Sequence, residues 1–303
     1  MPGCYAVFHK QLGDLVLLEP ALSRLRDYHG APVRLLTRSG HADLVRLMPG
    51  VEFSRGLAAA PALYCFDPLN KSALRSMCAP VARRCLVVPE RAELAWYHRF
   101  LFPAPSCPEL GESYVAEFFW KNTPCPCPSS FRPPLLAPPP PDWAPDARKP
   151  GTFVLVNPTA GWRKKMWTSD GWSAVLQSLG HREFILTNAG ADWQAAHCRA
   201  IAAASGARIL ATSMKQFLWL CANASMVLTV DGSASHLAAA FGVPCFTLFG
   251  PTSISNWHRP APGHSAFQAP PDTDGVRRLR KMPPKPVVEA VGQFLQACGR
   301  GNE

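Results

Sequence analysis

Acidic side chains are scarce in this sequence, and long apolar runs are missing. Only 21 Asp and Glu stand against 31 Lys and Arg in 303 residues, for a formal charge of +10. No window approaches the roughly 18 uninterrupted apolar residues that a membrane-spanning helix requires. The opening "MPGCYAVFHKQLGD" has no basic segment followed by an apolar stretch, so no secretory leader is expected and the cytoplasm is the expected compartment. Histidine is missing around the tightest cysteine pair, Cys125 and Cys127, with Cys107 upstream. That spacing is an incomplete zinc ligand set, so no metal site is expected. The remaining cysteines lie in apolar segments and read as small buried hydrophobes.

What is present is a basic, globular composition: 48% hydrophobic and 17% charged residues. A basic excess attracts nucleic acid, an anionic membrane surface or an acidic small molecule. The cations are dispersed, apart from "RKK" at 163–165 and "RRLRK" at 277–281. Neither run is interleaved with the aromatics of a single-strand-binding platform, so nucleic acid is not the expected partner. An anionic surface or substrate fits better.

Proline sets the organisation. Residues 123–150, "TPCPCPSSFRPPLLAPPPPDWAPDARKP", read as a stiff, extended linker. Before it, strand-like "YAVFHK" (5–10), "VRLLTR" (33–38) and "ALYCFD" (62–67) alternate with helical "LVLLEPALSRLRDYH" (15–29), "HADLVRLM" (41–48), "AELAWYHRFLF" and "ESYVAEFFWKN". After it, "TFVLVNP", "EFILTNAG", "ARILAT", "MVLTVD" and "CFTLFG" read as strands. Helices are expected at 169–179, 192–205, 214–222, 235–241 and 285–298. The pattern predicts an α/β chain of two doubly wound domains, 1–145 and 151–303, facing a central cleft. Ligands in such sheets bind beyond the carboxyl ends of the strands.

Three strand ends carry suitable chemistry. In "HKQLGDLVLLEPALSRLR", Gly13 permits close backbone approach and Asp14 opens a helix. Asp14 is either a residue favoured by the helix dipole or a general base. In "NPTAGWRKKMWTSDGW", three consecutive cations and two tryptophans follow a strand. This is either a solvated loop over core tryptophans or a diphosphate clamp in which Lys165 neutralises a leaving group. In "TVDGSASHLAAAFGVPCFTLFGPT", Asp231 ends a strand, Gly232 and Ser233 are small, and a helix begins near His236. Its free N–H groups form an anion site, or Asp231 and Ser233 are merely caps.

The order of these segments resembles the lipopolysaccharide heptosyltransferases of glycosyltransferase family 9. Those enzymes carry a GD-(V/L)-aliphatic-PAL segment, here "GDLVLLEPALSRLR", and a K-x-W segment, here "KKMWTSDGW". Their D-(S/T)-G-x-x-H-L-A-A-A-x-G-x-P run leading to FGPT is matched by "DGSASHLAAAFGVPCFTLFGPT". Ser233 stands in the place of the motif glycine, with Gly232 one position earlier.

The resemblance implies a GT-B fold of two Rossmann-like domains, with the last helix packing back toward the first. It implies an inverting transfer of heptose from an ADP-sugar to an acidic lipopolysaccharide inner-core acceptor, with no metal cofactor. Asp14 is the implied base and Lys165 the implied partner of the diphosphate. Thr159, Asp231, Gly232, Ser233 and His236 fall on the donor side, Gly13 and Arg38 on the acceptor side. Trp257 and His258 are candidates for the nucleotide pocket, and Arg24 and Arg26 for an acidic acceptor. The inner face of an anionic membrane is the implied place of work. The alternatives are the same fold with another donor or acceptor, or a nucleotide-sugar-binding protein without catalysis.

Overall fold

A computed structural model describes residues 3–67, 80–89, 94, 96, 98–102, 105–126, 130–180 and 182–299. The chain divides into two units, Met1–Ala137 and Pro138–Glu303.

The first unit runs β1 (Tyr5–Val7), α1 (Leu12–His29), β2 (Val33–Leu36), α2 (Ala42–Val45), β3 (Val51–Ser54), β4 (Ala60–Cys65), β5 (Val81–Leu86), α3 (His98–Leu101) and α4 (Val115–Asn122). Its strands form one parallel sheet in the order β3-β2-β1-β4-β5. The chain winds outward from β1 through β2 to β3, then returns to lay β4 on the other side of β1. The switch point therefore lies between β1 and β4. Helix α1 is buried along most of its length because it packs between the sheet and α4. Its Glu19 is fully buried, and three groups satisfy the carboxylate: Ser23 Oγ at 2.5 Å, Arg132 Nη2 at 3.2 Å and the Leu135 N–H at 3.0 Å.

The second unit runs β6 (Phe153–Asn157), α5 (Ser169–Ser178), β7 (Glu183–Leu186), α6 (Asp192–Ser205), β8 (Arg208–Ile209), α7 (Met214–Asn223), β9 (Met226–Val230), α8 (Ser233–Phe241), β10 (Cys245–Phe249), α9 (Ile254–Trp257), β11 (His264–Gln268) and α10 (Pro284–Gly299). Its sheet is parallel, in the order β11-β10-β9-β6-β7-β8, so its switch point lies between β6 and β9. Strands β9 and β10 are buried at every residue, as expected of central parallel strands covered on both faces. Gly242 ends α8 in the left-handed region (φ 72°), which spares the chain a Cβ clash at that turn.

Trp167 and Trp172 both lie in the core of this unit, edge to face at 5.7 Å. Trp167 Nε1 donates to the Met282 carbonyl at 2.9 Å. Gly171 is needed beside them, since a Cβ there would stand 2.4 Å from the Trp167 ring. Helix α10, expected from the resemblance to pack toward the first domain, adds Val287, Val291 and Phe294 to the core of its own unit and packs on α5. Burying each such side chain contributes about 1.5–3 kcal/mol.

Within the proline-rich stretch, residues 130–140 carry no regular structure and Pro141–Trp143 forms a 3-10 turn, and both flanks are tied down. Arg132, Leu135 and the Ala137 N–H, which donates to the Leu47 carbonyl at 2.8 Å, hold residues 132–137 to the first unit. Trp143 is buried, with the Lys215 ammonium 5.6 Å from its ring centroid, in the second unit. Three strands escaped the sequence pattern: β3, β5 and β11 are all sheet edges, where one side faces solvent and charged residues such as Arg83 are tolerated. The helix expected over 92–102 is described only at His98–Leu101, and Cys127 lies outside the described residues. Cys125 is buried, and no group of three metal-binding side chains occurs among the described residues.

Candidate functional site

The switch point of the second unit places the loop after β6 beside the end of β9. Register fixes this: Asn157 pairs with Thr229, so both strands end at the same level. From the first loop comes Lys165, the last residue of a single 3-10 turn at Arg163–Lys165. From β9 comes Asp231, whose N–H donates to the Leu248 carbonyl at 2.9 Å. Lys165 Nζ donates to Asp231 Oδ2 at 2.6 Å, and Thr252 Oγ1 donates to the same oxygen at 2.6 Å. Asp231 is 2% exposed, so this pair and the threonine offset the cost of a buried carboxylate.

Thr252 is held by the next strand end. Gln268 Nε2, at the end of β11, donates to the Gly250 carbonyl at 2.7 Å and the Thr252 carbonyl at 3.2 Å. Sequence reasoning quoted the FGPT turn but did not single out Thr252 or Gln268. The signal for Thr252 was in that motif, while nothing local marked Gln268.

Two indoles flank the lysine. The Trp162 and Trp257 centroids lie 5.4 Å and 5.9 Å from Lys165 Nζ, and Trp162 is two-thirds exposed. His236 is buried, with its ring 6.2 Å from that of Trp257. Burial pushes its pKa down to about 4, against the opposing pull of Asp231, so the imidazole is neutral at pH 7. His258 packs edge-on to Phe249 and is held at about 4 for the same reason.

Helix α8 starts two residues earlier than the sequence pattern suggested, at Ser233 with Gly232 as its N-cap. Gly232 is extended (φ −177°), a conformation open to any residue, and a Cβ there would meet only the Val230 carbonyl oxygen at 3.7 Å. The exchange of Ser233 for the family glycine therefore falls in the first turn of a regular helix. Ser235 Oγ donates to the Gly232 carbonyl, steadying that turn. Thr159 is buried in the turn after β6, where Gln194 Nε2 donates to the neighbouring Ala160 carbonyl.

In the first unit, Gly13 is buried in the opening turn of α1. Asp14 Oδ2 accepts the Gln11 N–H at 3.1 Å, so the carboxylate does act at the helix start as the plainer reading held. Arg24 and Arg26 are committed to packing: Arg24 donates to the Trp120 and Cys125 carbonyls, Arg26 to Asp27 and the Pro49 carbonyl. Arg38 instead stands exposed after β2, 3.5 Å from Gln11 Oε1. Sequence reasoning also passed over Asp67, buried just beyond β4, whose Oδ2 accepts the His9 N–H at 2.6 Å.

Comparisons with known proteins agree with this architecture. Residues 141–269 match the model of glycosyltransferase family 9 (heptosyltransferase). No curated protein matches by sequence. Among solved structures, the chain is similar to E. coli ADP-heptose LPS heptosyltransferase II, with a TM-score of 0.79 at 16% identity, covering 97% of this chain and 98% of that one. It is also similar to E. coli heptosyltransferase WaaC with ADP, at a TM-score of 0.72, 16% identity, and the same coverage of 97% and 98%. A glycosyl transferase family 9 structure from Veillonella parvula gives 0.74 at 11% identity, with 97% of each chain covered. The chain thus has the GT-B fold, two Rossmann-like domains, and its residues 141–269 resemble glycosyltransferase family 9.

Proposed function

We propose that this chain is an inverting glycosyltransferase that moves a heptose or closely related sugar from an ADP-sugar to an acidic lipopolysaccharide inner-core acceptor. The observation that carries the reading is the convergence of Lys165, Asp231 and Thr252 at the switch point of the domain that matches the family. Two solved structures of the similar protein WaaC hold ADP and ADP-2-deoxy-2-fluoro heptose respectively.

An inverting transfer needs one base and one means of stabilising the departing diphosphate. Asp14 removes the proton from an acceptor hydroxyl as its oxygen attacks the anomeric carbon. The bond from that carbon to the diphosphate oxygen breaks from the opposite face, and ADP leaves with the electron pair. Lys165 and the free first-turn N–H groups of α8 take up the charge on the leaving oxygen. Asp231 and Thr252 hold the lysine in place, His236 and Trp257 close the donor side, and Gly13 and Arg38 serve the acceptor. No metal cofactor takes part in this scheme. The basic surface suits work in the cytoplasm at an anionic membrane face.

The test is a mass-spectrometric donor screen with truncated lipopolysaccharide, alongside thermal unfolding with ADP. Consumption of an ADP-sugar and a rise in melting temperature with ADP are expected. A protein that consumes no nucleotide sugar and gains no stability from ADP is not this enzyme.

A further inference from the structure

The two basic runs of the second unit, "RKK" at 163–165 and "RRLRK" at 277–281, lie far apart in the chain, and the fold joins them. Each contains a 3-10 turn, Arg163–Lys165 and Leu279–Lys281, and the two turns pack on one another. Leu279, fully buried, is the peg between them. A Cβ placed on Gly250 would stand 3.2 Å from the Leu279 side chain and 3.6 Å from the Lys164 carbonyl oxygen, so both turns close over the same glycine. Just beyond, Trp167 Nε1 donates to the Met282 carbonyl at 2.9 Å and fastens the two segments a second time.

The cations of the joined turns stay outside. Arg163, Lys164 and Arg280 are exposed, and none has a carboxylate partner among the described residues. Within the second run, Arg278 pairs with Asp272 at 2.7 Å and with Asp274 at 2.6 Å, and Lys281 pairs with Asp272 at 3.1 Å. Those two cations are therefore already neutralised. The Arg163 guanidinium lies 5.0 Å from the ring centroid of Trp193, half-buried in the first turn of α6, where Asp192 is exposed beside it. Next to Arg163 in the chain stands the Trp162 indole, two-thirds exposed.

We propose that this composite surface docks the protein on an anionic phospholipid bilayer, with Arg163, Lys164 and Arg280 against the headgroup phosphates and the Trp162 indole at the interface. This deepens the proposed function, on whose membrane-face reading it rests, by naming the face that docks. Unpaired cations are drawn to an anionic leaflet, and an indole, apolar with one polar N–H, settles at headgroup level. Single-stranded nucleic acid fits less well, because it needs successive open rings to stack on, and Trp193 is covered by Arg163. Lys165 is the last residue of the first turn, so docking sets the donor lysine close to the bilayer surface.

The experiment sediments the full-length protein with vesicles of phosphatidylcholine alone or mixed with phosphatidylglycerol. Binding is expected with the mixture only, and Trp162→Phe should remove the blue shift of tryptophan emission that accompanies it. Each cation near such a leaflet raises partitioning about fivefold, so Arg163→Gln, Lys164→Gln and Arg280→Gln together should lower it about a hundredfold, and Lys164→Gln alone about fivefold. Neutralising three exposed cations of the first unit, Arg34, Arg55 and Lys121, should lower it far less, since attraction to the leaflet fades beyond about 10 Å. Urea unfolding checks that each variant is folded. No binding to the mixture, equal binding to both vesicles, a blue shift that survives Trp162→Phe, or equal losses from the two triple variants overturns the proposal. Retention of a single-stranded oligonucleotide without retention of vesicles overturns it too. No sugar transfer is measured, so failure here is distinct from failure of the transferase reading.

Discussion

Lys165 and Asp231, 66 residues apart in the chain, form a 2.6 Å ion pair in which the carboxylate is almost fully buried. Breaking such a pair leaves an uncompensated buried charge, at a cost of about 3 kcal/mol or more. Lys165→Ala should therefore lower stability as well as transfer. Loss of a leaving-group contact is expected to cut turnover by about 10²–10³. Lys165→Ala combined with Asp231→Asn should recover most of the stability in urea unfolding without restoring turnover. Recovery of both would mean that the lysine serves only the fold.

Asp14 caps the Gln11 N–H, a role asparagine can share through its side-chain oxygen. Asp14→Asn should therefore change stability by less than about 1 kcal/mol while slowing transfer by about 10²–10⁴. Protection by ADP should persist. A normal transfer rate in this variant would remove Asp14 from the base role.

His236 and His41, one in each unit, both sit at about 4 when folded against an ordinary value of 6.5. The unfolded chain then binds protons below pH 6.5 that the folded chain refuses. Stability is fully present above about pH 6.5, falls as pH drops to about 4, and levels off below that. Each histidine contributes about 1.4 kcal/mol per pH unit within this window. Urea unfolding between pH 7.5 and 4.5 should show that slope, and His236→Asn should reduce it by about one proton's worth.

Glu19 is completely buried in α1 and is satisfied by Ser23, Arg132 and the Leu135 N–H. Glu19→Ala would leave the Leu135 N–H without its acceptor, while Arg132, 40% exposed, keeps only Ser23. A loss of about 1–3 kcal/mol is expected. Limited proteolysis should show faster cleavage near Leu135, and an unchanged cleavage pattern would contradict this tether.

Much of the fold was legible locally because central parallel strands need both faces apolar. "FVLV", "MVLTV" and "CFTLF" could hardly be anything else, and their alternation with helical segments sets the two-sheet architecture. Three of the four edge strands were not legible: β5, for one, reads "VARRCL", with Arg83 exposed and Arg84 half-buried. At the site, the motifs placed Lys165 and Asp231 at strand ends, as polar breaks in greasy passages must be. Their pairing was not readable, because it depends on β6 lying next to β9, a fact of strand order rather than of either segment.

By itself, then, the sequence determined which segments are central strands, where polar chemistry interrupts them, and the family motif they spell. Tertiary structure alone decided that Thr252 and Gln268 join the lysine pair and that Arg24 and Arg26 are spent on packing. It also decided that Asp67, just beyond β4, accepts the His9 N–H at the other switch point. The physical reason is the same in each case. Burial and charge pairing act between elements brought together by the winding order of the sheet, and no window of sequence contains that order.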